Sequence, residues 1–182
     1  MQTLTSRSAR VLVALVFLCV SASLTSCDKI KDAVKVNFNY NVANLNFTLN
    51  PTTQTNFSTT VSQTSGLQTE LDKNKAAVEK VTLESAVFNL TGTSNANDNF
   101  GLISGGEVYI KANGQSAKLG TFTNAETNTQ SINLTVDSSV DLKQYLQATE
   151  FTVELKGTTR RAIQQQMFVN GSLKFNVTGK AK

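Results

Sequence analysis

Apolar and polar side chains alternate along most of the chain from residue 36 onward. In the first run the apolar side chains occupy even positions over residues 36–42 and odd positions over residues 45–49. Because neighbouring side chains of a strand point to opposite faces, this change of phase predicts a β-bulge near Ala43 and Asn44. The pattern around Leu83 and Ala86 changes phase in the same way and predicts a second irregularity.

Turn signals separate the alternating segments and indicate the fold class. Asn-Gly pairs at Asn113-Gly114 and Asn170-Gly171 predict two tight type I′ hairpins. Further alternating segments lie at 57–61, 81–90, 108–112, 117–119, 132–136, 151–155, 167–169 and 173–177. Eight or nine strands with no helices alternating between them exclude a parallel α/β sheet. The chain is therefore predicted to be an all-β antiparallel sandwich, jelly-roll or Ig-like, with a closed barrel as the alternative.

Two segments depart from the period of two. An amphipathic helix at about 65–80 is predicted from apolar residues at helical spacing, which are Leu67, Leu71, Val78 and Val81. Ser65 and Gln68 fit a capping box at its start. This helix is expected to close one end of the sandwich as a fixed plug, or to act as a lid over a hydrophobic pocket. Residues 141–147 predict a single further turn of helix.

The N-terminus has the pattern of a bacterial export signal. Arg7 and Arg10 precede an apolar run over residues 11–20. About ten residues is too short for a membrane span, which needs roughly twenty, and suits a signal peptide. The sequence Leu24-Thr25-Ser26-Cys27 then resembles the lipobox of bacterial lipoproteins. The resemblance implies that a signal peptidase recognises Leu24, Thr25 and Ser26, that residues 1–26 are removed, and that Cys27 carries lipid.

The chain after the lipobox is expected to be a tether and one domain. Residues 27–35 are expected to form the lipidated tether, a short charged segment that joins the lipid to a single β-sandwich domain over 36–182. Loss of Arg7 and Arg10 leaves 15 basic and 13 acidic residues, a net charge of +2, with no basic cluster. Nucleic acid is therefore not an expected partner. No cysteine follows Cys27, so the domain is expected to fold without a disulfide.

The search for catalytic chemistry yields no candidate residue. The chain has no histidine, which excludes imidazole-based triads and the commonest zinc ligand. Glu150 and Glu154 lie about 13 Å apart along one strand at roughly 3.3 Å per residue, too far for a glycosidase pair, and are expected to be solvated. The loop 93–99 holds one carboxylate and is expected to be an ordinary turn rather than a calcium site. No catalytic residue, metal or cofactor is predicted.

The segment 81–177 resembles a β-sandwich domain that recurs in uncharacterised outer-membrane lipoproteins of the Bacteroidota. Its matching parts are VTLESAVFNLTG, GEVYIKANGQSAKLG, DLKQYL and FTVELKG. The resemblance implies fold and location, and it implies no active residue. We therefore expect a non-enzymatic lipoprotein of the cell envelope, anchored to the outer membrane through lipid on Cys27, that binds or scaffolds a protein or glycan partner. The alternative is a carrier of an apolar small molecule held between the sheets under the 65–80 helix.

Cys27→Ala tests the predicted anchor. The variant should lose metabolic labelling with palmitate and move from the membrane to the soluble fraction, because no other cysteine follows the lipobox. Ser26→Ala, which keeps a small residue beside the same position, serves as the control and should keep the label. Loss of the label with unchanged membrane fractionation would show that a protein contact, and not the lipid, holds the molecule in place.

Overall fold

The computed structural model describes residues 34–93 and 99–182. The predicted signal peptide, Cys27 and the tether up to residue 33 lie outside the described residues, as do residues 94–98 of the predicted loop. The first described strand begins at Lys35, which pairs with Lys180. No helix within the described part of the chain is long and apolar enough to cross a membrane.

The described residues contain nine strands and two short helices. The strands are β1 (Lys35–Leu49), β2 (Asn56–Thr64), β3 (Ala76–Thr93), β4 (Ile103–Ala112), β5 (Gln115–Thr123), β6 (Ser131–Asn133), β7 (Thr135–Val136), β8 (Glu150–Thr159) and β9 (Met167–Ala181). The helices are α1 (Leu67–Lys73) and α2 (Lys143–Leu146), and a 3₁₀ turn covers Phe100–Leu102.

The strand order is that of a jelly roll. One sheet has the order β1-β9-β3-β6 and the other β2-β8-β4-β5-β7, with every pairing antiparallel. Early strands pair with late ones, β1 with β9 and β2 with β8, so the chain resembles a long hairpin rolled into two sheets. The predicted antiparallel sandwich is confirmed, and the connectivity selects the jelly roll from the alternatives that the sequence left open.

The predicted bulges are present. In β1 the register with β9 shifts between Val42 and Leu45, and Asn44 has a φ of 60°. In β3 the register with β9 shifts between Leu83 and Ser85. Each shift moves the apolar side chains that follow it back onto the inner face, so one long strand stays buried along its length despite its change of phase.

Only one of the two Asn-Gly pairs forms the predicted turn. Asn113 and Gly114 both have positive φ, 52° and 74°, and form the predicted hairpin between β4 and β5. The hairpin predicted at Asn170-Gly171 is wrong, because both residues lie inside β9, between β1 and β3. A Cβ on Gly171 would lie 2.9 Å from the Phe88 ring, so this glycine makes room for an aromatic ring in the core rather than for a turn.

The predicted helix at 65–80 is wrong beyond Lys73. The Asn74 side chain donates a hydrogen bond of 2.8 Å to the Glu70 carbonyl, and Lys75 has a φ of 47°, which ends the helix. From Ala76 the chain pairs with the end of β9, so Val78 lies half-buried in β3. The predicted capping box is not formed, because Gly66 is the N-cap and the Gln68 side chain donates to Asp72 rather than back to Ser65. Ser65 Oγ donates to the Leu146 carbonyl and accepts only a long bond of 3.4 Å from the Leu67 N–H. The second helical turn, α2, lies where residues 141–147 predicted it.

Helix α1 closes one end of the sandwich. Leu67 and Leu71 are buried in the common core, and the backbone N–H of Gly66 donates to the Tyr40 hydroxyl at 2.8 Å.

The cavity beside α1 has a volume of about 260 Å³ and includes Ser65, Gln68 and Thr149 in its lining. Ligand pockets commonly measure about 300–1,000 Å³ and are mostly apolar. The helix therefore has the packing of a plug rather than of a lid over a carrier's pocket.

Leu71→Ala tests the plug. Because Leu71 is buried, its truncation should lower the free energy of unfolding by about 2–5 kcal/mol through the cavity that it leaves. Thr69→Ala, at an exposed position of the same helix, is the matched control and should cost much less. Chemical unfolding of both variants gives the comparison. Near-normal stability of Leu71→Ala, together with lost uptake of a fluorescent fatty acid, would instead support a lid.

Candidate functional site

The outer face of the five-stranded sheet carries an ordered set of polar side chains. The pairing registers of β2, β8, β4 and β5 arrange them in three rows, which are Ser58-Lys156-Glu107, Thr60-Glu154-Tyr109-Lys118 and Ser62-Thr152-Lys111-Ser116. Their apolar neighbours along the same strands, such as Val153 and Leu155, point into the core. Alternation along each strand therefore gathers charged residues from distant parts of the sequence on one surface.

Glu154 lies at the centre of this surface and is buried, with only 7% of its area exposed. Its Oε1 accepts a hydrogen bond of 3.0 Å from Ser58 Oγ. Its Oε2 lies 2.8 Å from Lys111 Nζ and 3.1 Å from Lys156 Nζ, as ion pairs without regular hydrogen-bond geometry. The prediction that Glu150 and Glu154 form a solvated pair is thus wrong for Glu154, because lysines from its own and the neighbouring strand cover it.

The surroundings of Glu154 hold its carboxyl group in the ionised form. Burial alone would raise its pKa, but the contacts from Lys111, Lys156 and Ser58 together outweigh burial and hold the pKa below the ordinary value of 4.5. The two lysine side chains remain 41% and 47% exposed, so water still solvates their charges. The cluster is consequently a fixed negative charge flanked by two solvated positive charges.

Through Lys156, Tyr109 extends the cluster to a second carboxylate. The Tyr109 hydroxyl donates a hydrogen bond of 2.7 Å to Glu107, and Lys156 Nζ lies 5.0 Å from the centre of the Tyr109 ring. The hydrogen bond from Tyr109 lowers the pKa of Glu107, and the same bond raises the pKa of Tyr109. Lys118 completes the group at 3.4 Å from Glu107. The tyrosine ring is thereby held between a carboxylate and an ammonium group.

A trough of about 580 Å³ adjoins this cluster and crosses β2, β8 and β4. Its lining consists of Gln54, Asn56, Phe57, Ser58, Gly106, Glu107, Lys156, Gly157 and Thr158. Gly106 and Gly157 lie opposite each other in adjacent strands, between the row of Lys156 and the row of Thr158. On the core side of the sheet the rings of Phe122 and Phe57 pack against these two glycines and leave no room for a Cβ. The trough thus combines strand backbone at the glycines with polar side chains on the outer face.

Sequence reasoning missed this surface. Tyr109, Lys111 and Lys156 are ordinary strand residues in the sequence, and only the β4–β8 register brings them to Glu154. The one local signal is the spacing Glu154-x-Lys156, which places opposite charges on the same strand face. The predicted lipidation site, Cys27, and its recognition residues Leu24, Thr25 and Ser26 lie outside the described residues. Within residues 34–93 and 99–182, no three metal-ligating side chains of the His, Cys, Asp and Glu types come together.

Comparisons with known proteins give only remote likenesses. No protein family matches the chain, and no curated protein matches it. A chain of the infectious bursal disease virus Gx strain is 13% identical with a TM-score of 0.40, and the match covers 78% of this chain but only 32% of the viral one. FLHE is 9% identical with a TM-score of 0.31 over 80% of this chain and 96% of its own.

A third solved structure is the family 32 CBM from C. perfringens NanJ in complex with galactose. It is 13% identical with a TM-score of 0.29, and the match covers 76% of this chain and 99% of the module. With TM-scores below 0.5, none of these likenesses indicates which ligand this chain binds.

Glu154→Gln tests the electrostatics of the cluster. The amide keeps the size of the side chain but leaves Lys111 and Lys156 without their shared anion, so stability at pH 7 should fall by about 1–3 kcal/mol. Because the pKa of Glu154 in the folded protein lies below 4.5, its ionised form stabilises the fold above that pH. This contribution is lost as the pH falls through the folded-state pKa, and the difference between variant and wild type should then shrink.

Urea unfolding at pH 7 and pH 3 measures both effects. Glu84→Gln is the matched control, since Glu84 pairs with Lys174 on the other sheet but is 43% exposed, and its loss should stay within about 1 kcal/mol. Equal losses for both variants at pH 7, or a loss for Glu154→Gln that is the same at pH 3, would contradict the assigned role of Glu154.

Proposed function

We propose that the chain is a lipid-anchored, non-catalytic binding module of the bacterial cell envelope, which contacts its partner through the outer face of the five-stranded sheet. The observation that carries this proposal is the cluster around buried Glu154. A buried carboxylate on the outer face of a sheet lowers stability unless neighbouring cations and hydrogen-bond donors replace the water that it has lost. Here Lys111, Lys156 and Ser58 do so, and they keep a fixed pattern of charge beside the trough.

The direction of the strands supports an anchor and a binding face at opposite ends of the molecule. β1 starts at Lys35, beside the end of β9, and the backbone N–H of Lys182 donates to the Lys75 carbonyl next to α1. β2 starts at the other end of the sandwich, after β1 has run fifteen residues or about 50 Å at roughly 3.3 Å per residue. The trough lies near that start, at Asn56. A lipid on Cys27 would therefore leave the trough facing away from the bilayer.

The same groups do not favour glycosidase chemistry on this face. A pair of carboxylates can cleave a glycosidic bond only if one of them stays protonated as the general acid, which needs a raised pKa. The pKa of Glu107 is lowered by the hydrogen bond from Tyr109. Burial would raise the pKa of Glu154, but its contacts with Lys111, Lys156 and Ser58 outweigh burial and lower it. Both carboxylates thus bind neighbouring side chains in their ionised form, which does not suit the role of general acid.

The carrier alternative has less support. It needs an apolar chamber beneath α1, whereas Leu67 and Leu71 fill that end of the core and the cavity beside them is small and partly polar. The five-stranded face, with its wider trough, is the better candidate for a ligand.

Photocrosslinking in intact envelopes tests the proposed face. A benzophenone side chain placed at Thr60, an exposed position opposite Glu154, should insert into a bound partner and yield an adduct after illumination. The same group at Asn176, exposed on the outer face of the four-stranded sheet, is the matched control and should yield much less. Gel shift and mass spectrometry detect a protein or a glycan adduct alike. Adducts from Asn176 alone, or from neither position, would contradict the proposal.

A further inference from the structure

β2 is an edge strand with one free backbone side. It ends the five-stranded sheet and pairs with β8, residue by residue, over Asn56–Thr64. Because alternate residues of an antiparallel strand direct their N–H and C=O groups to opposite sides, about half of these residues point away from β8. Within the described residues, no backbone group of β2 bonds to a segment other than β8. This side of β2 is therefore open to another strand.

The other edges of the two sheets carry the features that normally keep a strand from pairing with a neighbour. β1 starts with Lys35 and is interrupted by the bulge at Asn44. β6 and β7 have only three and two residues, and the chain after β7 bonds to the long strands beside them at Val81 and Leu119. β2, in contrast, is nine residues long and has no charge, proline, glycine or bulge. It therefore lacks the usual protection of an edge strand.

We propose that β2 pairs with β2 of a second copy of this chain. The two strands are antiparallel and are related by a two-fold axis at Thr60, a register that matches all nine residues of one strand with the nine of the other. A two-fold contact of this kind requires a surface that complements itself. Such pairing does not depend on what the outer face binds, and it goes beyond the proposed function.

The outer face of β2 complements its own copy in this register. Thr60 lies opposite Thr60 of the second copy, and Ser58 lies opposite Ser62, so each pair joins hydroxyl groups that can both donate and accept. Ser58 already donates to Glu154 and keeps its lone pairs for a hydrogen bond from Ser62 of the second copy. Because β2 has no charged residue, no like charges meet across the axis. Groups of the same kind thus face each other, which identifies a second copy as the matching partner.

The core side of β2 also gains from a second strand. Val61 is only half-buried although its neighbour in β8, Val153, is fully buried, because β2 has a strand on one side alone. Phe57 is half-buried in the same way. In the proposed register Val61 lies opposite Thr59 of the second copy, a pair of β-branched residues that suits a sheet. Pairing therefore adds burial of apolar side chains to the backbone hydrogen bonds.

The two-fold axis sets the shape of the dimer. It joins the two sheets into one of ten strands, five from each copy, with both outer faces on the same side. The two Glu154 carboxylates lie three strands apart, about 14 Å at roughly 4.8 Å per strand, and each keeps its own Lys111 and Lys156. The four-stranded sheets and both starts of β1 lie on the other side. Two lipid tethers, as proposed, can therefore reach one bilayer while both outer faces point away from it.

Oxidative crosslinking in intact envelopes tests the register. Thr60→Cys places two thiols opposite each other on the axis, within reach of a disulfide. Copper phenanthroline should convert most of this variant into a form of twice the chain mass on a non-reducing gel. Asn39→Cys, at an exposed position of the edge strand β1, is the matched control and should stay at the chain mass. Wild type oxidised in parallel accounts for any contribution of Cys27.

Sedimentation of the purified full-length protein in detergent measures the association itself. Wild type is expected at twice the chain mass. Thr60→Lys should weaken the dimer about tenfold or more, because it places two positive charges opposite each other across the axis. Asn39→Lys adds the same charge to the edge of the other sheet and should leave the dimer intact. Thermal melts establish that both variants remain folded.

Each outcome has a distinct meaning. Monomeric wild type, no crosslink from Thr60→Cys, or a dimer that Thr60→Lys does not weaken would overturn the pairing through β2. A strand of a different protein at this edge would give the first two of these results. Benzophenone at Thr60 separates the pairing from the proposed function, since an adduct of twice the chain mass comes from a second copy and any other mass from another partner. If crosslinking fails while an adduct of another mass forms, the binding face stands and only the self-pairing is wrong.

Discussion

The rest of the structure depends on the position of β9 between β1 and β3. This last long strand, Met167–Ala181, pairs along its length with the first strand on one side and with β3 on the other. No local turn joins β1 to β9, so their pairing has to close a loop that contains most of the domain. Once that pairing forms, α1, β2 and β8 are brought to fixed positions, because each connects to a strand of the closed sheet.

Closure of the core leaves the outer faces free to carry unusual residues. The inner positions are filled by aliphatic and aromatic side chains, including the edge-to-face rings of Phe47 and Phe88. The outer positions tolerate asparagines, which strands otherwise disfavour, and Asn46 and Asn170 bond to each other at 2.8 Å across the β1–β9 pair. On the other sheet the same freedom permits a buried glutamate. The inner face of each sheet thus forms the hydrophobic core, and the outer face carries the polar and charged side chains.

Sequence patterns predicted the fold well wherever the decisive signal was local. Alternation identified most of the strands and the bulge at Asn44, and Asn113-Gly114 formed its hairpin. The segment predicted at 132–136, however, divides into β6 in one sheet and β7 in the other. The failures arise where pairing with distant residues decided the outcome. Asn170-Gly171 consists of the same two residues, but both pair with β1 on one side and β3 on the other and therefore stay extended. Val78 lies in β3 because it pairs with Gly179 of β9. The cluster around Glu154 was missed for the same reason, since its lysines approach it only through strand register.

The arrangement also separates the proposed anchor from the proposed binding face. The groups near the start of β1 are α1 and the end of β9, where Lys182 pairs with Asp72 at 3.1 Å. The trough, near the start of β2, shares none of these contacts, and its geometry is set by the β2–β8–β4 ladder. Within the described residues, the start of β1 and the trough are joined through the two sheets and their common core. An anchor before the start of β1, as proposed, would leave the contacts that shape the trough untouched, because the β2–β8–β4 pairing beside the trough lies at the other end of the sandwich.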